Sequence, residues 1–513
     1  MKSLKTIIEF VLKHPHYFLF FVFLSFGIYN VDRYGVGWDE DAQIQIGYVS
    51  YDYVFLNDTT IKNFPARDYG VVVELPLAMV EHIFQFEHSR EKFLARHFLT
   101  HLFFLITALF CYKTVFKLYR NKALASMAFL MLVLMPRFYA ESFVNTKDIP
   151  FMGLFFVCFY YMVSAFETKS NKHYFYLALC IGVMISLRIM GVMLFVLVLA
   201  FMIGEMIIGR TYKISLLKML LLILVVISTT FATWPYLWLD PVNNFTQAFT
   251  NMSKFRWSGT VLFEGVNYSA GNLPWYYLPK WFAITVPILF LMLGIGGIML
   301  LILKSIKSPF QNFKDNFHRS QLIFLFCFFV PLVAVVFFHS VLYDGWRHVY
   351  FIYAPYVMLS VYAIHWLMQK KITTVVWLVI IGFNIYMIIR MIDLHPCQQV
   401  YFNELVSKRE KNEIRKTYDM DYWGLAYRQS WEYLLAHDQS KLLYVSFEND
   451  PCAFNTNLLR EKDKRRIKLV EKNKAEYFFT NFRLHPEDYK ELKPVYEVKV
   501  DNNVINAIYR LHD

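Results

Sequence analysis

Apolar residues in this chain come in blocks of roughly 20, the length of helix that crosses a bilayer. The first block, Tyr17 to Tyr29, follows Lys2, Lys5, Lys13 and His14. It has no small-residue cleavage site and reads as a retained span rather than a signal peptide. Further blocks lie at about 97–116, 123–140, 149–166, 174–187, 189–208, 216–234, 281–303, 321–339, 349–368 and 372–391. About eleven crossings are predicted, some short enough to need a thinned bilayer or an interfacial end. Long polar stretches interrupt them at about 32–92 and 235–280, and a tail runs from about 393 to 513. The tail has strand-like runs, Lys441 to Phe447 and Val495 to Val500, among helix-like stretches. At roughly 120 residues it is long enough to bury its own core. The predicted fold class is a polytopic α-helical membrane module, residues 1–392, followed by a small extracytoplasmic α/β domain, 393–513.

Composition agrees. Of 513 residues, 57% are hydrophobic and 18% charged, against about 45–50% apolar and about 25% charged in soluble domains. A disordered chain, a coiled coil and an ordinary cytosolic enzyme are excluded. The 52 Lys and Arg exceed the 40 Asp and Glu, giving a net charge of +12. With the N-terminus in the cytoplasm, every inside connection is basic. These connections hold Lys113, Lys117, Arg120 and Lys122, then Lys169 and Lys172, then Arg210, Lys213 and Lys218. Lys304, Lys307, Lys314 and Arg319 follow, and last Lys370 and Lys371. Topology and anionic lipid account for the positive charge, so no nucleic-acid partner is implied. An odd number of spans puts the tail outside. Of six cysteines, Cys397 and Cys452 share that tail and could pair in an oxidising compartment, although two cysteines make no framework.

Ionisable groups near bilayer depth are costly and usually functional. Here they gather at the outside ends of spans, in four clusters. The first is Trp38-Asp39-Glu40-Asp41, just after the first span. Three adjacent carboxylates at a membrane face repel, which raises the pKa of at least one toward that of a general base. The second runs from Arg137 through Glu141 to Lys147 and Asp148; Glu141 and Asp148 would share a face if the segment were helical. The third is Arg188, between two apolar blocks, able to snorkel or to hold a lipid phosphate. The fourth is Tyr343-Asp344-Gly345-Trp346-Arg347-His348, where Arg347 can clamp a phosphate and His348 can assist.

Carboxylates and phosphate-binding cations thus face a compartment without nucleotides. No GxxxxGK[ST] loop is present, and the Gly294 to Gly297 run lies inside an apolar block, where it reads as close helix packing. A donor used there must be carried by the membrane. A sugar on a polyprenyl phosphate meets that need, because its leaving group is a phosphate that positive charge stabilises. The aromatic and glycine-rich stretch Trp257 to Tyr277 reads either as a sugar-stacking lid or as an interfacial anchor.

These segments resemble the GT-C class of polytopic glycosyltransferases and, within it, family 39, the protein O-mannosyltransferase-like group. Trp38-Asp39-Glu40 is similar to that family's acidic motif, and Arg137…Glu141…Asn145 to Pro150 to its second acidic loop. Trp234 to Pro241, Leu273 to Tyr277, Tyr343 to His348, His395 to Asn403 and Asp421 to Gly424 resemble segments of bacterial members. The resemblance implies an inverting transfer of sugar from a polyprenyl-phosphate donor to an extracytoplasmic protein, glycan or lipid. Asp39 would be the base and Glu40 its support. Glu141 and Asp148 would hold sugar, acceptor or cation. Arg137, Lys147, Arg188, Asp344, Arg347 and His348 would supply the substrate-binding set, two or three of the cations touching the phosphate. The tail does not resemble the β-trefoil of eukaryotic protein mannosyltransferases, so a protein acceptor does not carry over. Aminosugar-transferring relatives bind a metal and protein mannosyltransferases do not, which leaves a divalent metal open; His82, His88 and His97 lack a ligand spacing. A glycan ligase using a polyprenyl diphosphate, and a transporter, are the rival readings.

Overall fold

The computed structural model describes residues 9, 11–209, 212–253, 257–307 and 315–511. Lys2, Lys5, Arg210 and Lys314 lie outside the described residues, as do 254–256 of the mid-chain stretch. Every predicted apolar block is helical, but two break at a proline. The block at 123–140 splits into helices Lys122–Val133 and Pro136–Val144, bent by 63°. Pro136 has no N–H to donate and would clash with the carbonyl of Leu132, so Met135 swings into the extended region and a new helix starts. The block at 281–303 splits in the same way at Val286 and Pro287, into Tyr277–Thr285 and Ile288–Lys307. Among the described residues, seven helices are long and apolar enough to cross a membrane, or up to eight if the bent pair counts as one. Shorter helices such as Pro15–Asn30 and Asn171–Leu187 supply the remaining predicted blocks.

Burial sorts the helices into a centre and a rim. Asp148–Thr168 and Arg347–Met368 have 83% and 78% of their apolar windows buried inside the protein, whereas Thr373–Asp393 has 22%. The last presents Leu378, Ile381, Ile385, Ile389 and Ile392 outward, an apolar stripe suited to lipid rather than water. At the centre, Ile288–Lys307 packs on Tyr353–Met368. A Cβ on Gly297 would lie 1.9 Å from the Leu359 carbonyl oxygen, so the close packing predicted for this glycine run needs a residue without one. Lys117 and Arg120 share Glu167, and Lys169 and Arg319 share Glu205, which places these predicted inside residues together at one end of the bundle.

The opposite end carries the polar stretches. The first is not an open loop: it folds as helices Glu40–Leu56 and Glu74–Phe84. The mid-chain stretch forms helix Pro241–Ser253 and a hairpin, β1 Thr260–Phe263 with β2 Val266–Ser269. The tail builds a five-stranded mixed sheet in the order β4-β3-β5-β7-β6, with β3 Leu443–Phe447, β4 Ile467–Leu469, β5 Tyr477–Thr480, β6 Pro494–Val500 and β7 Asn503–Arg510. β3 runs parallel to β4 and β5, and β7 antiparallel to β5 and β6. Helix Tyr427–His437 covers one face with Tyr427, Trp431 and Leu434 against Val445, Phe479 and Ile508. Both predicted strand runs fall on this sheet.

The first part of the tail belongs to the bundle instead. Tyr401, Phe402, Tyr418, Tyr422 and Trp423 join the main core, and the Asn403 amide donates to the carbonyls of Ala283 and Val286, both at 2.7 Å. Cys397 is buried in that core and Cys452 in the core of the sheet; both are free thiols, so the disulfide left open by the sequence is not formed.

Candidate active site

The tail holds the acidic loop in place. Tyr34 donates to Gln398 at 3.0 Å, and the Trp38 amide donates to the Trp423 carbonyl at 3.1 Å. Asn455 brackets Val36, accepting from its N–H at 3.0 Å and donating to its carbonyl at 3.1 Å. Tied at these points, the loop delivers Asp39 to the start of helix Glu40–Leu56 with its side chain turned to a cavity of about 450 Å³. Trp38, Asp39, Trp257, Gly259, Thr260, Leu262, Asn267, Tyr343, Asp344, Arg347, Asp419, Arg483, Leu484 and Pro486 line it.

Charges alternate around this cavity. Arg347 donates from Nη1 to Asp39 at 2.7 Å and pairs through Nη2 with Asp344 at 2.9 Å. Lys147 reaches the same Asp39 oxygen at 3.4 Å, and Arg483 bonds the other oxygen of Asp344 at 2.6 Å. Behind them, Asp148 lies 4.0 Å from Arg347 and pairs with Arg188 at 2.8 Å. The Arg347 guanidinium is 2% exposed, lies 5.0 Å from the Tyr343 ring centre and 4.8 Å from that of Trp423, and its Nε has no hydrogen-bond partner among the described residues. A fixed guanidinium whose carboxylate partner faces a cavity is suited to a phosphate oxygen that replaces that carboxylate. The turn that aims it needs two consecutive left-handed residues, Asp344 at φ 57° and Gly345 at φ 70°.

Asp39, the expected base, is not a carboxyl tuned upward. Burial alone would raise its carboxyl, but the Arg347 and Lys147 cations outweigh that and hold it well below the usual carboxylate range. A carboxyl tuned upward does line the cavity, Asp419 on the tail: burial dominates, Arg483 opposes it, Asp344 adds to it, and the group is pushed up to about 7.

The other predicted residues are placed as follows. Glu40 turns away from the cavity, accepting from the Gly37 amide at 2.6 Å and bonding His97 Nε2 at 2.9 Å. Glu141 is fully buried and accepts from Tyr350 and Tyr422 at 2.7 and 3.1 Å. The helix containing it does not continue to Asp148; the Asn145 amide bridges the two carboxylates instead, at 3.0 and 3.2 Å. Arg137 is buried in the core, its Nε on the Tyr401 carbonyl at 2.9 Å and its guanidinium near Trp281 and Phe402, so it does not line the cavity. His348 offers its carbonyl to Arg188 at 3.2 Å and packs its ring against Tyr343. Asp419 and Arg483 were not predicted. Asp421 to Gly424 was singled out two residues away from Asp419, but nothing local marks either residue as facing the membrane module.

Among the described residues no three of His, Cys, Asp and Glu converge as a metal-ligand set. His82 stacks on Tyr51, His97 is engaged by Glu40, and His88 precedes helix Ser89–Tyr119. Among the described residues no ligand set fits the divalent metal that the resemblance left open.

Residues 77–234 match the family model described as dolichyl-phosphate-mannose-protein mannosyltransferase. The apo structure of ArnT from Cupriavidus metallidurans aligns over 99% of this chain and 98% of its own, with TM-score 0.50 and 10% identity. This is a GT-C glycosyltransferase fold. ArnT bound to undecaprenyl phosphate aligns at TM-score 0.48 and 11% identity, over 97% of this chain and 98% of that one. An Archaeoglobus fulgidus oligosaccharyltransferase aligns at TM-score 0.47 and 11% identity over 90% of this chain; the chain spans 65% of its length. A sequence search of curated proteins returns no match. The segment that matches the family model includes Arg137, Glu141, Lys147, Asp148 and Arg188, while Asp39, Arg347, Asp419 and Arg483 fall outside it.

Proposed function

We propose that this protein is an inverting glycosyltransferase that moves a sugar from a polyprenyl-phosphate donor to an acceptor outside the cytoplasm. The observation that carries the reading is the Asp39 carboxylate shared by Arg347 and Lys147 at the wall of the cavity. A base and two cations share one cavity wall, where a base can take the acceptor's proton and cations can meet the leaving phosphate.

The pairing couples donor binding to basicity. Without donor, both cations hold Asp39 ionised and weakly basic. A donor phosphate in the cavity competes with Asp39 for Arg347 Nη1 and for part of the Lys147 charge, and the proton affinity of Asp39 rises as it does so. The acceptor hydroxyl then gives its proton to Asp39 while its oxygen attacks the anomeric carbon. The bond from that carbon to the phosphate oxygen breaks, and the leaving polyprenyl phosphate keeps the electron pair against Arg347 and Lys147. Asp148 and Arg188 hold Arg347 from behind, and Glu141 fixes Tyr350 and Tyr422 below the site. The basic end of the bundle lies in the cytoplasm of a plasma (inner) membrane and the cavity opens on the far side, where lipid-linked sugars are used. That ArnT has been captured with undecaprenyl phosphate is in keeping with a lipid-phosphate donor.

Proteoliposomes charged with tritiated polyprenyl-phosphate hexose and given a cell-envelope extract test the reading. Label is expected in a covalent product, and Asp39→Asn is expected to abolish it. Label carried into the lumen without covalent product would favour a transporter, and transfer only from a polyprenyl diphosphate would favour a ligase.

A further inference from the structure

The far wall of the cavity carries chemistry that the displacement itself does not use. It is built from two elements fastened together: the mid-chain hairpin and the tail. Phe263 bridges to Tyr418, the Gly265 amide donates to the Thr417 carbonyl at 3.0 Å, and the Leu262 amide donates to the Asp419 carboxylate at 3.3 Å. Trp257 lies on Tyr343, ring centres 4.3 Å apart, and a Cβ on Gly259 would come within 2.3 Å of the indole, so the hairpin sits flush against it. Asn267 projects from β2, and Arg483 is anchored by Asp344 and by the Tyr422 carbonyl at 2.6 Å, its guanidinium 5.0 Å from the Trp38 ring centre.

An aromatic side chain at the cavity wall beside a carboxylate, an amide and a guanidinium matches one ligand class. The cavity-facing part of the Trp257 indole packs on the C–H groups of a sugar ring, the carboxylate accepts from its hydroxyls, and the amide and guanidinium donate to its oxygens. A lipid would call for an apolar wall, and β1, which carries Thr260 and Leu262 to the cavity, is flanked by β2 on one side and by Tyr418 on the other, so it offers no edge to an extended peptide. Asp39 and Asp344 already occupy the neighbouring cations, which suits an uncharged acceptor.

Resting on the glycosyl-transfer reading above, we propose that Asp419, Arg483, Asn267 and Trp257 form the acceptor subsite and that the acceptor is an uncharged carbohydrate. Asp419 accepts the acceptor's hydroxyls next to the one that reacts. The groups facing it are Arg483, Asp344 and Tyr277. Because its carboxyl is pushed up to about 7, acidification removes the negative charge and turns one acceptor oxygen into a donor, which weakens the hold on the sugar's hydroxyls.

The test is saturation-transfer NMR on the full-length protein in nanodiscs, with methyl glycosides of glucose, galactose, mannose and N-acetylglucosamine as probes. Undecaprenyl-phosphate affinity is measured in parallel. At least one glycoside is expected to bind, and Asp419→Asn and Trp257→Ala are each expected to weaken it roughly tenfold to hundredfold. Undecaprenyl-phosphate affinity stays within about twofold, since neither change removes a phosphate donor. Asp419→Asn retains an oxygen for the Leu262 amide, so a purely structural role would leave glycoside binding unchanged. Wild-type binding should fall as pH drops through about 7, and that dependence should vanish in Asp419→Asn. The subsite is overturned if no glycoside binds the wild type, or if glycoside binding ignores both substitutions while undecaprenyl phosphate still binds. If the wild type binds glycosides but not undecaprenyl phosphate, the transfer reading fails instead.

Discussion

Two buried ion networks lie side by side in this molecule, built from the same residue types and doing different work. In one, Arg96 pairs with Glu74 and with Glu81, the latter at 2.7 Å; Glu81 also takes Tyr48 and Lys92, and Glu74 takes Thr146. In the other, Arg347 joins Asp39 to Asp344, with Lys147 and Arg483 at the ends. Both arginines are almost fully buried and each spends Nη1 and Nη2 on protein carboxylates. The carboxylates differ: Glu74 and Glu81 are 3% and 7% exposed, whereas Asp39 is 24% exposed, onto the cavity. The first network is closed to solvent; the second opens on the cavity, where the proposed function has it exchange a protein partner for a ligand. They meet at Thr146 and Lys147, neighbours in sequence, one in each network. Glu74 therefore anchors the short connection from which Lys147 reaches Asp39.

This contrast can be broken experimentally. The largest effect is expected for Arg96→Leu, which strands two buried carboxylates and should cost about 3–5 kcal/mol of stability, read by thermal unfolding of the purified protein. Arg347→Lys keeps the charge but loses the fork between Asp39 and Asp344. It should cut transfer roughly tenfold to hundredfold while lowering the melting temperature less than Arg96→Leu does. Thr146→Val removes one hydrogen bond to Glu74 and should cost about 1 kcal/mol, with a modest loss of transfer through Lys147. Lys499→Ala breaks an exposed pair with Glu497 and should change stability by less than about 0.5 kcal/mol. If Arg96→Leu and Arg347→Lys moved stability and transfer in equal proportion, the division into scaffold and reactive network would be wrong.

The sequence made the closed and open parts legible to different degrees. Apolar blocks announce helices because burial in lipid demands unbroken hydrophobic length, and each block is helical. Clusters at span ends announced Asp39, Lys147, Asp148, Arg188 and Arg347, because charge near a bilayer has a visible cost. The direction of a side chain is not encoded that way. Glu40 sits beside Asp39 yet faces His97, since consecutive positions on a helix point about 100° apart. Arg137 shares a motif with Glu141 yet packs between Trp281 and Phe402. Asp419 and Arg483 stood in a charged, soluble-looking tail, where a carboxylate or a guanidinium carries no penalty and so no signal. Only the packing of the tail onto the bundle brings them to the cavity. The same packing reverses the expected tuning: adjacent carboxylates suggested a raised group near Asp39, whereas two cations remote in sequence hold Asp39 down and burial raises Asp419.

The most direct measurement is single-turnover transfer from polyprenyl-phosphate hexose by wild type and by Asp39→Asn, with donor binding followed on the same samples. The variant should bind donor at least as tightly as wild type, because Arg347 and Lys147 are released from the carboxylate, and should transfer its sugar about 10²–10⁴-fold more slowly. Transfer at the wild-type rate by a folded, donor-loaded Asp39→Asn would contradict the account.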